Sequence, residues 1–440
     1  MRIKKIKLEN FRIFKNLEVE FPSSNFVTII GKNGSGKTTF LDSIAHGLYT
    51  IIHDILLFEE QDYVSSSFGS KDITIGSNYV KIKCEFSNDS KEFSTISEHQ
   101  AFVDPIQIHN IPFLGSTLEK NGLEVTDLVG FPILRYYRIE RSLSKTENVK
   151  IKIRKGIKNR KVKPYYNSLE GELPLFSELS SWWINEENYE NEKKLAKQDL
   201  TFRNPSLEII RKAISKAFPI LLGNNEEYSD IQVKRRSDSS GNISDSNYSA
   251  ELFIKVRGKL IRMSQLSSGE KSIILLICDI ARCLGIHNKF SSDSLNKDGI
   301  VLIDELDLHL HPNWQRRIIK TLSTVFPNVQ FITTSHSPQI LSSTKKEDVI
   351  FFDDGKEVGL LTDPKGRDSN GILEEIFGVD ERPSEVGQLV EEIFEISNDD
   401  LPNEKELKTK INKLSQIVAW DDPILVRIKT MVKRKHSISV

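Results

Sequence analysis

The chain has 440 residues, of which 38% are hydrophobic and 28% are charged, with 61 Lys and Arg against 62 Asp and Glu. This composition excludes disorder of the whole chain, and the length predicts about three domains. The net charge of -1 excludes a globally basic chain, so any binding of nucleic acid or membrane must depend on a local patch.

The cysteines and the apolar runs indicate where the protein works. Cys84, Cys278 and Cys283 form neither a C-x-x-C pair nor a disulfide framework, which favours a reducing compartment. The longest apolar runs, such as Ile273–Ile277, are far shorter than the roughly 20 residues that cross a bilayer. Because the N-terminus also lacks the apolar block of a signal peptide, we expect a cytoplasmic protein without a membrane partner.

Periodicity predicts a strand, loop and helix near the N-terminus. Two alternating segments within residues 3–21 predict antiparallel strands, and Phe26–Ile30 predicts a strand buried on both faces. After Gly36 the apolar spacing becomes helical through Leu48.

The loop between this strand and helix reads GKNGSGKT over residues 31–38 and matches the phosphate-loop pattern. Its backbone N–H groups would surround phosphates at a helix N-terminus, Lys37 would reach the β- and γ-phosphates, and Thr38 would bind Mg²⁺. The pattern therefore predicts a bound nucleotide with Mg²⁺, and the family resemblance described below implies that the nucleotide is ATP. The predicted ATP-binding residues here are Asn33, Gly34, Ser35, Gly36, Lys37, Thr38 and Thr39.

The middle of the chain contains a basic run without an acidic residue between positions 150 and 163. Strands are predicted at residues 80–86 and 131–137, a helix at residues 206–218 and an exposed polar loop at residues 237–249. The basic run would contact DNA or RNA, an acidic partner surface, or only solvent. Its members are Lys150, Lys152, Arg154, Lys155, Lys158, Arg160, Lys161 and Lys163.

The last third carries two carboxylates at the end of an apolar strand. Strands are predicted at residues 251–256, 300–303 and 329–333, with a helix at residues 273–284 and a hairpin at residues 349–361. Asp304 and Glu305 follow the strand at 300–303, where open α/β sheets bind ligands. Asp304 would hold Mg²⁺, and Glu305 would orient or activate the attacking water.

The order of these motifs, with Leu266–Lys271 before a helix and His336 after a strand, resembles the soluble ATP-binding-cassette ATPases, namely the Rad50, SMC and RecF-like heads. The resemblance implies an α/β head with a mixed sheet and flanking helices. It also implies that two chains enclose two ATP molecules, each chain completing the other's site with a signature sequence. That signature comprises Ser267, Ser268, Gly269 and Glu270.

The same resemblance gives His336 and Arg12 roles at the nucleotide. His336 would be the switch histidine that touches the γ-phosphate, although a histidine at a strand end also serves purely structural roles. Asn10-Phe11-Arg12 resembles the triplet whose basic residue approaches the nucleotide, whereas the alternative is an exposed arginine in a turn. The family's glutamine loop has no clear match, and Gln107 is the one candidate.

A narrower resemblance is to a bacterial group of stand-alone AAA_15/AAA_21-type ATPases, and it rests on residues 131–137, 279–282 and 373–378. That group includes the PtuA subunit of Septu anti-phage systems, some associated with retrons. The resemblance implies slow, regulatory ATP hydrolysis that controls a PtuB-like HNH nuclease. The alternative is a RecF- or Rad50-like DNA-binding ATPase in repair or recombination.

Four segments are predicted: residues 1–144 and 250–382 as the two parts of the ATPase head, 145–249 as an inserted module, and 383–440 as a helical appendage. The appendage contains three short amphipathic stripes. We expect that so few residues cannot bury all three stripes among themselves, so that they cover either the head's flank or another protein.

Overall fold

The computed structural model consists of β-strands and α-helices that form two compact units. It describes residues 1–58, 72–88, 91–100, 113–119, 132–138, 168–169, 175–223, 228–236, 249–256, 258–379, 382–399 and 402–436. The strands are β1 (Arg2–Phe11), β2 (Phe14–Glu20), β3 (Phe26–Gly31), β4 (Tyr79–Asn88), β5 (Lys91–Gln100), β6 (Phe113–Glu119), β7 (Ile133–Tyr137), β8 (Tyr228–Arg236), β9 (Ser249–Val256), β10 (Lys259–Arg262), β11 (Gly299–Ile303), β12 (Val329–Thr334), β13 (Val349–Asp353) and β14 (Lys356–Val358). The helices are α1 (Lys37–Phe58), α2 (Leu175–Lys197), α3 (Pro205–Leu222), α4 (Ser268–His287), α5 (Pro312–Val325), α6 (Pro338–Leu341), α7 (Ser369–Glu375), α8 (Ser384–Asn398), α9 (Glu404–Ile417) and α10 (Pro423–His436).

A six-stranded sheet positions the candidate site. Its strand order is β14-β13-β3-β12-β11-β7, in which β14 pairs antiparallel with β13 and all other neighbours are parallel. The carboxyl ends of β3, β12, β11 and β7 therefore meet at one edge. This mixed sheet with helices on its faces confirms the predicted α/β class, and the strands and helices named from periodicity are confirmed.

One face of this sheet packs against α1 and an antiparallel sheet of order β2-β1-β4-β5-β6. The opposite face packs against α4 and α5. Side chains of β7 and β11 alternate between the two cores, as the strand pleat requires. Tyr136 and Leu302 face α1, whereas Tyr137 and Ile303 face the other core.

Helices α2 and α3 lie within the range predicted as an inserted module, but their apolar faces share one core with α4 and α5. Trp183 of α2 and Phe218 of α3 are fully buried there. A three-stranded sheet of order β10-β9-β8 contributes to the same core. Residues 1–366 accordingly form one compact unit, which includes this part of the predicted module.

A second compact unit comprises residues 367–440. The expectation that its three helical stripes cannot bury one another was wrong, because α8, α9 and α10 form a core of their own. Arg382 forms a two-pronged ion pair with Asp422 at 2.9 and 3.1 Å, so residues before the predicted boundary at 383 also belong to this unit. The buried members of the core are Val386, Leu389, Ile393, Leu407, Ile411, Leu414, Leu425, Ile428 and Val432.

Within the described ranges, no helix combines the length and the apolar character needed to span a bilayer.

Candidate nucleotide site

The phosphate loop joins β3 to α1 at the carboxyl edge of the six-stranded sheet. Gly36, the last residue before α1, has a φ of +101°, a conformation that side-chain-bearing residues rarely adopt. A Cβ at this position would lie 2.5 Å from Ile13 Cδ1 and 2.7 Å from the Phe14 ring. The close approach of β2 and its turn to the loop therefore requires glycine here.

Lys37 bridges the phosphate loop with its ammonium group. Nζ donates hydrogen bonds to the carbonyl oxygens of Gly31 and Lys32, each at 2.9 Å. Burial lowers the pKa of Lys37, while the negative charges of Asp304 and Glu305 act in the opposite direction. The cation is thus held where strand β3 turns into helix α1.

Asp304 is the centre of a hydrogen-bonded chain that links α1, β11 and β12. Thr38 Oγ1 donates to Asp304 Oδ2 at 3.0 Å, and Thr334 Oγ1 donates to Oδ1 at 2.6 Å. The backbone N–H of Glu305 donates to Thr334 Oγ1 at 2.7 Å. The structure therefore brings Thr38, Asp304 and Glu305 together, although roughly 270 residues separate the first two in sequence.

The donor set of Thr38 and Asp304 fits Mg²⁺. A hydroxyl and a carboxylate are hard oxygen ligands, and Mg²⁺ in nucleotide sites commonly takes one or two protein oxygens together with phosphates and water. Asp304 is almost completely buried, so its carboxylate position is fixed by the two threonine hydroxyls. Among the residues placed by the structure, no cluster of three or more His, Cys, Asp or Glu has the geometry of a metal site.

Glu305 and His336 flank this centre. Glu305 has a φ of +47°, an uncommon conformation for glutamate that turns the chain sharply away from β11. His336 is half-buried, and burial followed by the nearby charge of Lys37 lowers its pKa below the usual 6.5. Both effects favour the neutral imidazole.

The predicted signature forms the start of α4. Ser267 is the N-cap and makes a reciprocal capping box with Glu270. A Cβ on Gly269 would lie 2.2 Å from the carbonyl oxygen of His309, which follows β11 and the two acidic residues. The signature turn is thus packed directly against the segment that leads away from Glu305.

A buried ion cluster fixes α4 to β7. The Asp279 carboxylate accepts hydrogen bonds from Arg135, from Tyr137 Oη at 2.7 Å and from Arg282 Nη2 at 2.5 Å. Although burial opposes ionisation, the two arginines outweigh it and hold the pKa of Asp279 well below its ordinary value. Helix α4 is therefore tied through charge to the strand beside β11.

The match to a family model covers most of the chain. The model of AAA_15, AAA ATPase domain, matches residues 1–341. The chain belongs to this family. Its phosphate loop, β11 carboxylates and signature turn all lie within the matched range.

Similar proteins include a retron probable ATPase and a Septu protein. Over 99% of this chain and 87% of the relative, it is 28% identical to the "Retron Ec83 probable ATPase" of Escherichia coli. It is 26% identical to the "Septu protein PtuA" of Bacillus thuringiensis, over 98% of this chain and 97% of that protein. A solved SMC head bound to the winged-helix domain of ScpA is 16% identical, with a TM-score of 0.43 over 81% of this chain and 96% of that chain.

Arg12 lies beside the site in a cluster that sequence patterns did not reveal. Its Nη1 donates to Asp42 Oδ2 at 2.6 Å and its Nε donates to Asp72 Oδ1 at 2.8 Å. Asp42 also accepts hydrogen bonds from Tyr136 and Arg138 on and after β7. The one sequence signal for Asp42 is its position on α1, one turn after Thr38.

Two predictions concern residues outside the described part of the chain. Gln107 and the basic run between Lys150 and Lys163 lie outside the described residues. Contact of Arg12 with nucleotide likewise stays a prediction.

Proposed function

We propose that this chain binds and hydrolyses MgATP, and that two copies close around two nucleotides. The observation that carries the proposal is the hydrogen-bonded chain from Thr38 through Asp304 and Thr334 to Glu305, beside Lys37. These groups meet at the carboxyl ends of parallel strands, where a nucleotide phosphate would find backbone donors, a cation and metal ligands.

Each residue has a distinct part in the proposed hydrolysis. Lys37 would neutralise charge on the β- and γ-phosphates, and Thr38 and Asp304 would hold Mg²⁺, which would supply further charge compensation at the phosphates. Glu305 orients the attacking water and accepts its proton. His336 donates a hydrogen bond to the γ-phosphate through an imidazole N–H.

The second half of each site comes from the other copy. The beginning of α4 presents backbone N–H groups and the positive end of a helix dipole, which suit an anionic phosphate. Because Gly269 packs against His309, binding of phosphate at the signature would also affect the position of the segment that follows Glu305 in the same chain. Closing of the dimer thus links the two sites.

We further propose that this ATPase controls a partner nuclease of the HNH type, like PtuB, in anti-phage defence. Support comes from the similarity to the retron ATPase and to PtuA over nearly the whole chain. ATP turnover would then be slow and would time the closed state of the dimer.

Mixing two inactive variants tests the composite site. Lys37→Ala removes the phosphate-loop cation and Ser268→Arg blocks the signature, so each pure variant should lose ATP hydrolysis. A mixed dimer retains one intact site, formed by Lys37 of one copy and Ser268 of the other. Random mixing would therefore restore about one quarter of the wild-type rate. If the mixture stays inactive while wild type hydrolyses ATP, the sites are not shared between copies.

A further inference from the structure

Arg138 occupies the position beside Asp304 at the carboxyl edge of the sheet. Strands β7 and β11 are parallel, with Tyr136 opposite Leu302 and Tyr137 opposite Ile303. The N–H of Asp304 donates to the Tyr137 carbonyl at 2.8 Å, so this pairing continues to the next residue of β11. Arg138 is the residue that follows Tyr137 and stands next to Asp304.

Arg138 also shares a face of the sheet with the metal-binding residues. Side chains alternate along a strand, so Arg138 lies on the same side as Tyr136, toward α1. Asp304 lies on this side too, where it accepts the hydrogen bond of Thr38. A guanidinium is therefore next to the proposed Mg²⁺ ligands, on the side of the phosphate loop helix.

The guanidinium is held by Asp42 but is not enclosed. Arg138 Nη2 donates to Asp42 Oδ1 at 2.8 Å, and its guanidinium carbon lies 5.2 Å from the centre of the Tyr136 ring. The side chain is 37% exposed, and in the described part of the chain its Nε is buried without a hydrogen-bond partner. The exposed part of the guanidinium, beyond the nitrogen that donates to Asp42, can thus be reached by a ligand, whereas the buried Nε cannot.

Asp42 does not depend on Arg138 for its charge balance. The other carboxylate oxygen accepts from Arg12, and Tyr136 Oη donates to Oδ1 at 2.9 Å. Asp42 is one helical turn further from the phosphate loop than Thr38. A short swing of the long Arg138 side chain from Asp42 toward Thr38 therefore leaves Asp42 paired.

We propose that Arg138 binds the terminal phosphate of ATP and thereby distinguishes ATP from ADP. In the free chain Asp42 holds the guanidinium in place, and the γ-phosphate competes with Asp42 for its donors. Phosphate oxygens suit a guanidinium fork, and the γ-phosphate carries more charge than a carboxylate. The inference rests on the proposed function, because it assigns a further ligand of the same nucleotide.

The proposal predicts a selective change in affinity. Calorimetric titration would compare ADP with the non-hydrolysable analogue AMPPNP, both with Mg²⁺, on the full chain. Arg138→Ala should weaken AMPPNP binding by about ten- to a hundredfold, as expected for the loss of a charge-assisted hydrogen bond. ADP affinity should change little, and Arg138→Lys should recover part of the AMPPNP affinity.

Tyr136→Phe is the matched control. This variant removes a hydroxyl that donates to Asp42 Oδ1 and also interacts with Arg138, but it retains the ring beneath Arg138 and the guanidinium itself, so its ratio of AMPPNP to ADP affinity should stay close to that of wild type. A ratio that falls as far in Tyr136→Phe as in Arg138→Ala would overturn the proposal, because the loss would then follow from disturbing Asp42.

The remaining outcomes separate this inference from the proposed function. Equal weakening of both nucleotides in Arg138→Ala, or no weakening of either, would overturn the role of Arg138 while leaving ATP binding intact. If wild type binds neither nucleotide, the proposed function fails and this inference fails with it. Should Arg138→Ala not fold, Arg138→Gln takes its place and is judged by the same ratio.

Discussion

Asp279→Asn tests whether a buried charge cluster supports the ATPase domain. The substitution keeps the size of the side chain but removes its charge. Arg135 and Arg282 are 3% and 7% exposed, and Asp279 is 1% exposed, so the two guanidiniums would lose their counter-charge in a site that water hardly reaches. Glu178 lies 3.5 Å from Arg282 but is more exposed and compensates only one of them.

The expected cost is large because the cluster is buried. Removing one partner of a buried ion pair costs about 3–5 kcal/mol, since an uncompensated charge remains. The folded-state pKa of Asp279 is depressed, so its contribution to folding stability is fully present above the ordinary Asp pKa of about 4 and is lost as pH falls through the folded-state pKa. At pH 7 the full difference between wild type and Asp279→Asn should appear.

Urea unfolding at pH 7 measures this cost. Trp183 is fully buried in the same core as α4, and its fluorescence should report loss of that core. The midpoint for Asp279→Asn should fall by about 1–2 M. Asp293→Asn is the control, because Asp293 pairs with Lys297 at 3.1 Å on an exposed surface and should change little. If both variants unfold at the same midpoint, the reasoning about the buried cluster is refuted.

Three further outcomes are expected. Gly269→Ala should reduce ATP hydrolysis more than about tenfold, because its Cβ would collide with the His309 carbonyl, whereas Gly359→Ala, with open space around it, should hydrolyse ATP like wild type. A chain ending at Gly366 should remain folded and hydrolyse ATP. If this shortened chain no longer co-purifies with the product of an adjacent HNH gene, the docking site lies in residues 367–440. Neutralising the basic run between Lys150 and Lys163 should lower DNA affinity and make it less dependent on salt. If all eight charges met phosphates, the logarithm of affinity would fall with the logarithm of salt concentration at a slope of about -7, which is the steepest slope expected. An unchanged slope in the neutralised variant argues against contact.

Those parts of the site whose residues lie close together along the chain could be predicted from the sequence. The strand, glycine loop and helix around Lys37 lie within one short segment, so the apolar periodicity and the glycines are enough to predict them. Asp304 and Glu305 were recognisable because an apolar strand ends in two carboxylates. Their contact with Thr38 and Thr334 follows from the parallel order of β3, β12 and β11.

The arginine cluster at Asp42 could not be predicted, because it depends on tertiary pairing. Asp42 and Arg138 are 96 positions apart and meet only because β7 pairs with β11 beside α1. The packing of the C-terminal helices was predicted wrongly for a different reason. Their stripes were correctly identified, but three helices of about 14 residues close on one another, and counting apolar positions cannot show that geometry.

Gene order provides an independent test of the defence role. An HNH reading frame beside this gene supports control of a nuclease, whereas recombination genes there would favour a DNA-repair ATPase related to RecF.

Glu305 is proposed to act on water at a site built by Lys37, Thr38 and Asp304. The most direct test of this role is the steady-state rate of ATP hydrolysis with Mg²⁺ for wild type and Glu305→Gln, together with ATP binding by both. Glu305→Gln should still bind ATP but hydrolyse it at least about a hundredfold more slowly, and it should accumulate as a closed dimer. Equal hydrolysis rates for the two proteins would contradict this role of Glu305.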